Sequence, residues 1–253
     1  MSRKILLRSI LIFSLALTSF FYTPQLLIAQ NSSSGRIRFT PPPPPERGEP
    51  TGRSQGGASR GCESTALVPL TQTKNGELFW GLTVAQHPTF WFHIPRRLTK
   101  NDAIELTLLD ESEKEVYKTK FIAPNTPKGI ISLSVPSKQP PLEIGKIYTW
   151  SFSIFCDYKN VEDKPGTVKG KIQRVALSPA LQTQLASAKS PLEQASIYAQ
   201  NSLWFDTMTT LGTSIRTSGK KHTSLTTAWN DLLKQANLKN SISEPITPCC
   251  KVP

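Results

Sequence analysis

Gly52-Arg53-Ser54-Gln55-Gly56 has the letters of a nucleophile elbow, in which a serine on a strained strand-to-helix turn attacks an acyl carbon. Proline and glycine precede this serine and more glycine follows it, so nothing on either side can strain the turn, and Ser54 is not expected to act as a nucleophile. The next run, Gly56-Gly57-Ala58-Ser59-Arg60-Gly61-Cys62, could pass for a phosphate cradle. It lacks the lysine that a Walker loop carries at the head of its helix. His87 and His93 stand at even spacing and could share a strand face, but two imidazoles without a third ligand do not hold a metal. Asp110, Glu111 and Glu113 are crowded as in a solvated turn rather than spread as a catalytic pair. The expectation is a protein without enzymatic activity, catalytic residue, cofactor or metal.

Binding chemistry is better represented. In "QHPTFWFHIPRR" strand alternation turns Phe90, Phe92 and Ile94 to one face and Trp91 and His93 to the other, with Arg96 and Arg97 following. Exposed, Trp91, His93, Arg96 and Arg97 would make a basic aromatic recognition surface. The competing reading places Trp91 beneath a helix, because any C-terminal helices must bury their own apolar stripes against something. Arg53 and Arg60 join the candidate binding residues as cations that could lie along acidic loops.

The chain has four cysteines, Cys62, Cys156, Cys249 and Cys250. Cys62 precedes the first strand-like run and Cys156 closes the most regular one, so these two are expected to form a disulfide. Cys249 and Cys250 are adjacent and would bond to each other only in a strained ring, which points to another chain or to free thiols.

Several elements must position these residues. In "YTWSFSIFC" Tyr148, Trp150, Phe152, Ile154 and Cys156 share one face, while Thr149, Ser151 and Ser153 share the other. "AIELTLLD" and "IISLSVP" alternate likewise, and Asp110 to Lys114 reads as a hairpin turn. Short strands cut by proline and glycine predict an antiparallel, immunoglobulin-like β-sandwich over residues 61–177. The period then changes to that of helices. Ser178-Pro179 and Ser190-Pro191 each set a capping serine before a proline, Glu193 completes a capping box, and "YAQNSLWFDTMTTL" looks like the turn of a tetratricopeptide-type helix pair. A further stripe, Leu225, Ala228, Trp229, Leu232 and Ala236, completes a small helical region over residues 178–240, followed by a tail, 241–253.

Ahead of the sandwich, residues 1–29 have the basic, apolar and small-residue order of a signal peptide, with a retained anchor as the alternative. Residues 30–60 read as a Pro/Gly/Arg-rich linker with a stiff Pro41 to Pro45 rod. The formal charge is +12, and losing Arg3, Lys4 and Arg8 with the leader, which contains no acid, leaves +9. Such a chain is expected to be exported, periplasmic or extracellular, without a membrane span once the leader is cleaved. Its expected partners there are anionic glycans, lipids or acidic proteins rather than nucleic acid.

The proline run, "RGEPTGRSQGGASRGC", "LTVAQHPTFWFHIP", the strand ending "SIFC" and "LWFDTMTTL" together resemble the cyanobacterial family known as domain of unknown function number 928. The resemblance implies an exported protein and carries no activity or catalytic residue. It also implies that the arginine and glycine segment is ordered at the mouth of the sandwich, anchored by Cys62. The leading functional expectation is a non-enzymatic adaptor that binds an envelope protein. The alternative is a glycan or polyanion binder that uses the basic aromatic surface.

Overall fold

Alternation between buried and half-exposed side chains runs through the whole of the strand Ile147–Phe155, and that pattern organises the molecule. The computed structural model describes residues 36–45, 62–122, 124–160, 162, 164–218, 223–241 and 243–250. The leader and the Gly52–Gly56 run with Arg53, Ser54 and Arg60 lie outside the described residues. Nine strands are described, β1 (Thr65–Ala66), β2 (Leu70–Thr73), β3 (Gly76–Thr83), β4 (Thr89–Ile94), β5 (Ala103–Leu109), β6 (Glu115–Ile122), β7 (Gly129–Ser134), β8 (Ile147–Phe155) and β9 (Gly166–Arg174). Four helices follow, α1 (Pro179–Ser187), α2 (Pro191–Gln200), α3 (Trp204–Ser218) and α4 (Thr223–Gln235).

The described residues are mainly β, in two sheets that do not close into a barrel. One sheet has six strands in the order β2-β3-β9-β8-β5-β6, the other three in the order β1-β4-β7. The expectation of purely antiparallel pairing is corrected at one place: β3 and β9 run parallel, with Phe79 opposite Gly170. Strands so far apart in sequence need no hairpin, so nothing local forces them to oppose.

Aromatic rings fill the space between the sheets. Phe92 of β4 stacks on Phe152 of β8 at 4.0 Å, and Phe79, Phe90 and Phe92 surround Trp150 at 6.2, 5.9 and 6.0 Å. Gly170 admits this cluster, because a Cβ there would run into Trp150 and come within 2.6 Å of Phe79.

The helices begin where their caps are written. Ser178 and Ser190 accept from the backbone N–H groups of Leu181 and Glu193, each at 3.2 Å. Glu193 reaches back to the Lys189 N–H at 2.5 Å, one residue earlier than a regular capping box. Between α2 and α3 the chain turns at Asn201 and Ser202, Ser202 taking a φ of 64°. The start of α3 plugs one side of the sandwich: Phe205 meets Phe90 at 5.4 Å, and the Trp204 indole N–H donates to the Leu67 carbonyl at 2.7 Å. All the described residues fall within a single compact unit. None of their helices is long and apolar enough to cross a membrane.

The linker expectation is corrected for residues 36–45. Ile37 and Phe39 are buried, and the Gln235 side chain of α4 clamps the segment, donating to the Ile37 carbonyl at 2.7 Å and accepting from the Phe39 N–H at 3.0 Å. Thr40 N–H donates to the Ala199 carbonyl at 3.1 Å, and the Trp80 indole donates to the Pro43 carbonyl at 2.9 Å. Composition is a poor guide here because a proline-rich segment is already extended. It has little conformational entropy left to lose, so two apolar side chains and a few hydrogen bonds suffice to hold it.

The tail is held as well. Ile130 N–H donates to the Pro245 carbonyl and Thr247 N–H to the Ile130 carbonyl, at 2.8 and 2.7 Å, so Ile246 sits beside β7 like a short added strand.

Candidate functional site

The structure does not assemble the residues singled out from the "FWFHIPRR" run into one surface. Trp91 is 1% exposed: Trp229 of α4 meets it edge-on at 5.4 Å, and its indole N–H donates to Thr209 Oγ1 at 3.4 Å. Gly212 lets α3 come this close, since any Cβ there would collide with the Trp91 ring. Trp91 is therefore the docking plate for the helices, as the second of its two expected placements had it, and it does not stand on a recognition surface. His93, on the same face, is buried under the tail with its Nε2 3.8 Å from Glu244 Oε1. Burial pulls its pKa below the usual histidine value, Glu244 pulls it back up, and Lys128 reinforces the fall.

Arg96 points elsewhere. Its guanidinium forks onto Asp102, at 2.5 and 3.1 Å, and a further N–H reaches the Cys156 sulfur at 2.8 Å. Burial alone would push Asp102 up, but the hydrogen bonds from Arg96 and from both the backbone and the hydroxyl of Thr99 hold it below the usual aspartate value. Arg96 thus knits the β4–β5 loop to the cysteine strand. Of the four residues, Arg97 alone remains exposed.

Cys62 and Cys156 are brought together as a disulfide, their Cα atoms 5.7 Å apart. Cys249 and Cys250, expected to seek another chain or stay as thiols, are joined to each other. Thr126 Oγ1 donates to Cys249 at 3.5 Å, which ties this end of the tail to the loop before β7. His87 bonds through Nε2 to the Gln139 carbonyl at 2.8 Å, so the two histidines take separate partners.

Two features that the sequence reading did not single out stand in their place. The first is a cavity of about 170 Å³ between the β3–β4 connection, α2 and α3, lined by Thr83, His87, Tyr198, Asp206, Thr209 and Thr210 among others. Asp206 lies in the first turn of α3, 9% exposed, and Oδ2 accepts from the Val84 N–H at 3.2 Å. Burial raises its pKa from 3.8 to about 6, against hydrogen bonds from Thr83, Val84 and Ala85 that favour the charge. Tyr198 is raised too, first by burial and then by the Asp206 charge. The signal in sequence was an acid set among Trp204, Phe205 and Met208 in a helix start that is otherwise apolar on that side.

The second is the outer face of the six-stranded sheet. Register places Lys120 beside Glu105, Glu105 beside Ser153, Ser153 beside Thr167, and in the next row Lys118, Thr107, Ser151 and Lys169. Lys171 follows opposite Thr149. Lys118 and Lys120 are exposed and Lys169 and Lys171 half-exposed. Glu105 is spoken for by Lys118 at 3.2 Å. Lys120 stands over the Phe155 ring at 4.1 Å. Burial pulls Lys171 below the usual lysine value, with Glu111 opposing.

A comparison with curated proteins found no match. Among solved structures, the beta-glucuronidase of Parabacteroides merdae is similar with a TM-score of 0.24 and 14% identity, over 34% of this chain and 10% of its own, so this chain spans about a tenth of that enzyme. The C-terminal domain of wzt is similar with a TM-score of 0.29 and 12% identity, over 50% of this chain and 83% of that domain. A family model described as Domain of Unknown Function (DUF928) matches residues 51–246, from the arginine and glycine segment through the sheets and helices to the added tail strand, and the chain belongs to that family.

Proposed function

We propose that this chain is an exported cyanobacterial envelope protein, periplasmic or extracellular, that acts by binding rather than by catalysis, and that it holds an anionic glycan on the outer face of its six-stranded sheet. The observation that carries this reading is the array of Lys118, Lys120, Lys169 and Lys171 set among the hydroxyls of Thr107, Thr149, Ser151, Ser153 and Thr167. Neighbouring strands lie about 4.8 Å apart, so donors repeat across the face at a spacing that carboxylate or sulfate groups on a sugar chain can follow. Lys171 in particular is partly desolvated and would gain from an added anion. We assign the two sheets to an immunoglobulin-like sandwich, an assignment supported by Trp150 at the centre of the packing and by the Cys62–Cys156 bridge.

A protein-binding adaptor is the second reading. The stripes of α3 and α4 are spent inside the molecule, which removes the helix-in-groove contact such an adaptor would use. What favours a protein partner is the edge strand β6, where Ile122 is 56% exposed and a strand could add.

Retention of the protein on an immobilised uronic-acid polysaccharide, with neutral dextran as control, tests the glycan reading. Wild type should be retained at low salt and released as the screening length falls from about 10 Å at 0.1 M to about 3 Å at 1 M. A variant carrying Lys118→Ala, Lys120→Ala, Lys169→Ala and Lys171→Ala should pass straight through while melting like wild type. Equal retention on dextran, or retention that ignores salt, would overturn it.

A further inference from the structure

The Asp206 cavity has the chemistry of a site for an organic cation. No lysine or arginine is among its lining residues. Arg174, beyond the lining, gives its donors to the Val84 and Leu142 carbonyls at 3.4 and 2.5 Å. The Tyr198 hydroxyl makes no hydrogen bond among the described residues, and the Thr209 and Thr210 oxygens keep lone pairs beyond the bonds they already make. A carboxylate, a phenol oxygen and two threonine oxygens together offer acceptors for the three N–H donors of an ammonium group. With about 30 Å³ per water molecule, the cavity has room for a group of several heavy atoms. Its carboxylate is almost fully desolvated, so a partner of opposite charge there is worth far more than one in water.

We propose that this cavity binds a small soluble primary amine, its ammonium group held by the Asp206 carboxylate and steadied by Tyr198, Thr209 and Thr210. The site lies among β3, α2 and α3 and uses none of the sheet-face lysines, so it stands or falls independently of the glycan reading.

The test is a titration of the full chain, with threonine methyl groups labelled for NMR, using ethanolamine and methylammonium as probes and ethylene glycol as the neutral counterpart of ethanolamine. The amines should move the methyl signals of Thr83, Thr89, Thr209 and Thr210, and ethylene glycol should not. Asp206→Asn should weaken amine binding by about tenfold or more, as loss of a charge-assisted contact does. Tyr198→Phe, which removes one oxygen and keeps the ring, should weaken it by about threefold. If Asp206→Asn does not fold, Tyr198→Phe together with Thr210→Val decides the matter. The four-lysine variant should bind the amines like wild type. Signals that move equally with ethylene glycol, no movement with either amine, or unchanged affinity in the Tyr198 and Thr210 variants would overturn the proposal.

Discussion

At the scale of single residues, Asp206 sets a pH dependence with a definite sign. Its carboxyl pKa is raised from 3.8 to about 6 by burial, so between those values the folded chain keeps a proton that the unfolded chain has released. Its contribution to stability is therefore complete below about pH 4 and lost as pH rises through about 6, amounting to about 3 kcal/mol. Asp206→Asn removes the titration while leaving an acceptor for the Val84 N–H. The stability of this variant relative to wild type, measured by urea unfolding, should thus rise from about pH 4 to about pH 8. His93 runs the other way, since its lowered pKa withdraws stability as pH falls below its ordinary 6.5. Comparing the two proteins at each pH cancels that contribution. Gly212→Ala addresses packing instead: its new methyl has to displace the Trp91 ring, and a loss of about 1 to 3 kcal/mol is expected in the same unfolding experiment.

At the scale of elements, the readable parts were those whose signal is local. The alternation in Ile147–Phe155, the serine and proline starts of α1 and α2, and the stripes of α3 and α4 all lie within a dozen or so consecutive residues, and they form as their patterns dictate. What escaped was decided by partners distant in sequence. Alternation in "TFWFHI" separates Phe90 and Phe92 from Trp91, but whether the Trp91 face meets solvent or helices stayed open, because Trp229 and Thr209, which cover it, lie far along the chain. Likewise, the two carbonyls and the N–H that fix residues 36–45 to Gln235 and Trp80 leave no trace in a composition dominated by proline. For the Asp206 cavity the sequence offered the acid but not its surroundings, since the walls come from β3, α2 and α3 together. A variant with Ile37→Ala and Phe39→Ala should lose about 4 kcal/mol or more, since each truncation strips a buried side chain, whereas a plain spacer would lose nothing. Thermal unfolding of the two proteins separates these outcomes.

At the scale of the whole molecule, the Cys62–Cys156 bridge closes a loop with a sequence separation of 94 and pins the entry to β1 against the end of β8. In the chain-entropy view such a closure contributes about 4 to 5 kcal/mol. Replacing both cysteines with alanine should lower stability by an amount of that order, and should also free Arg96 from its sulfur contact while its Asp102 fork remains. The basic sheet face and the amine cavity lie on different parts of this frame, one on the outer surface of the larger sheet and the other beside the start of α3.

The strap at residues 36–45 also has a consequence for the order in which the molecule can be completed. Its hydrogen bonds to Gln235 join residues 196 and 198 positions apart. A ribosome delivers the strap before the sheets and its clamp after them, so Ile37 and Phe39 stay unsheltered while all the strands between are made. Contacts of such long range are the slow ones to form. In refolding from urea, protection of the Phe39 N–H, which donates to Gln235, from hydrogen exchange should accordingly arrive after that of the sheet strands. A nascent chain stopped short of α4 would present those two side chains to any chaperone within reach.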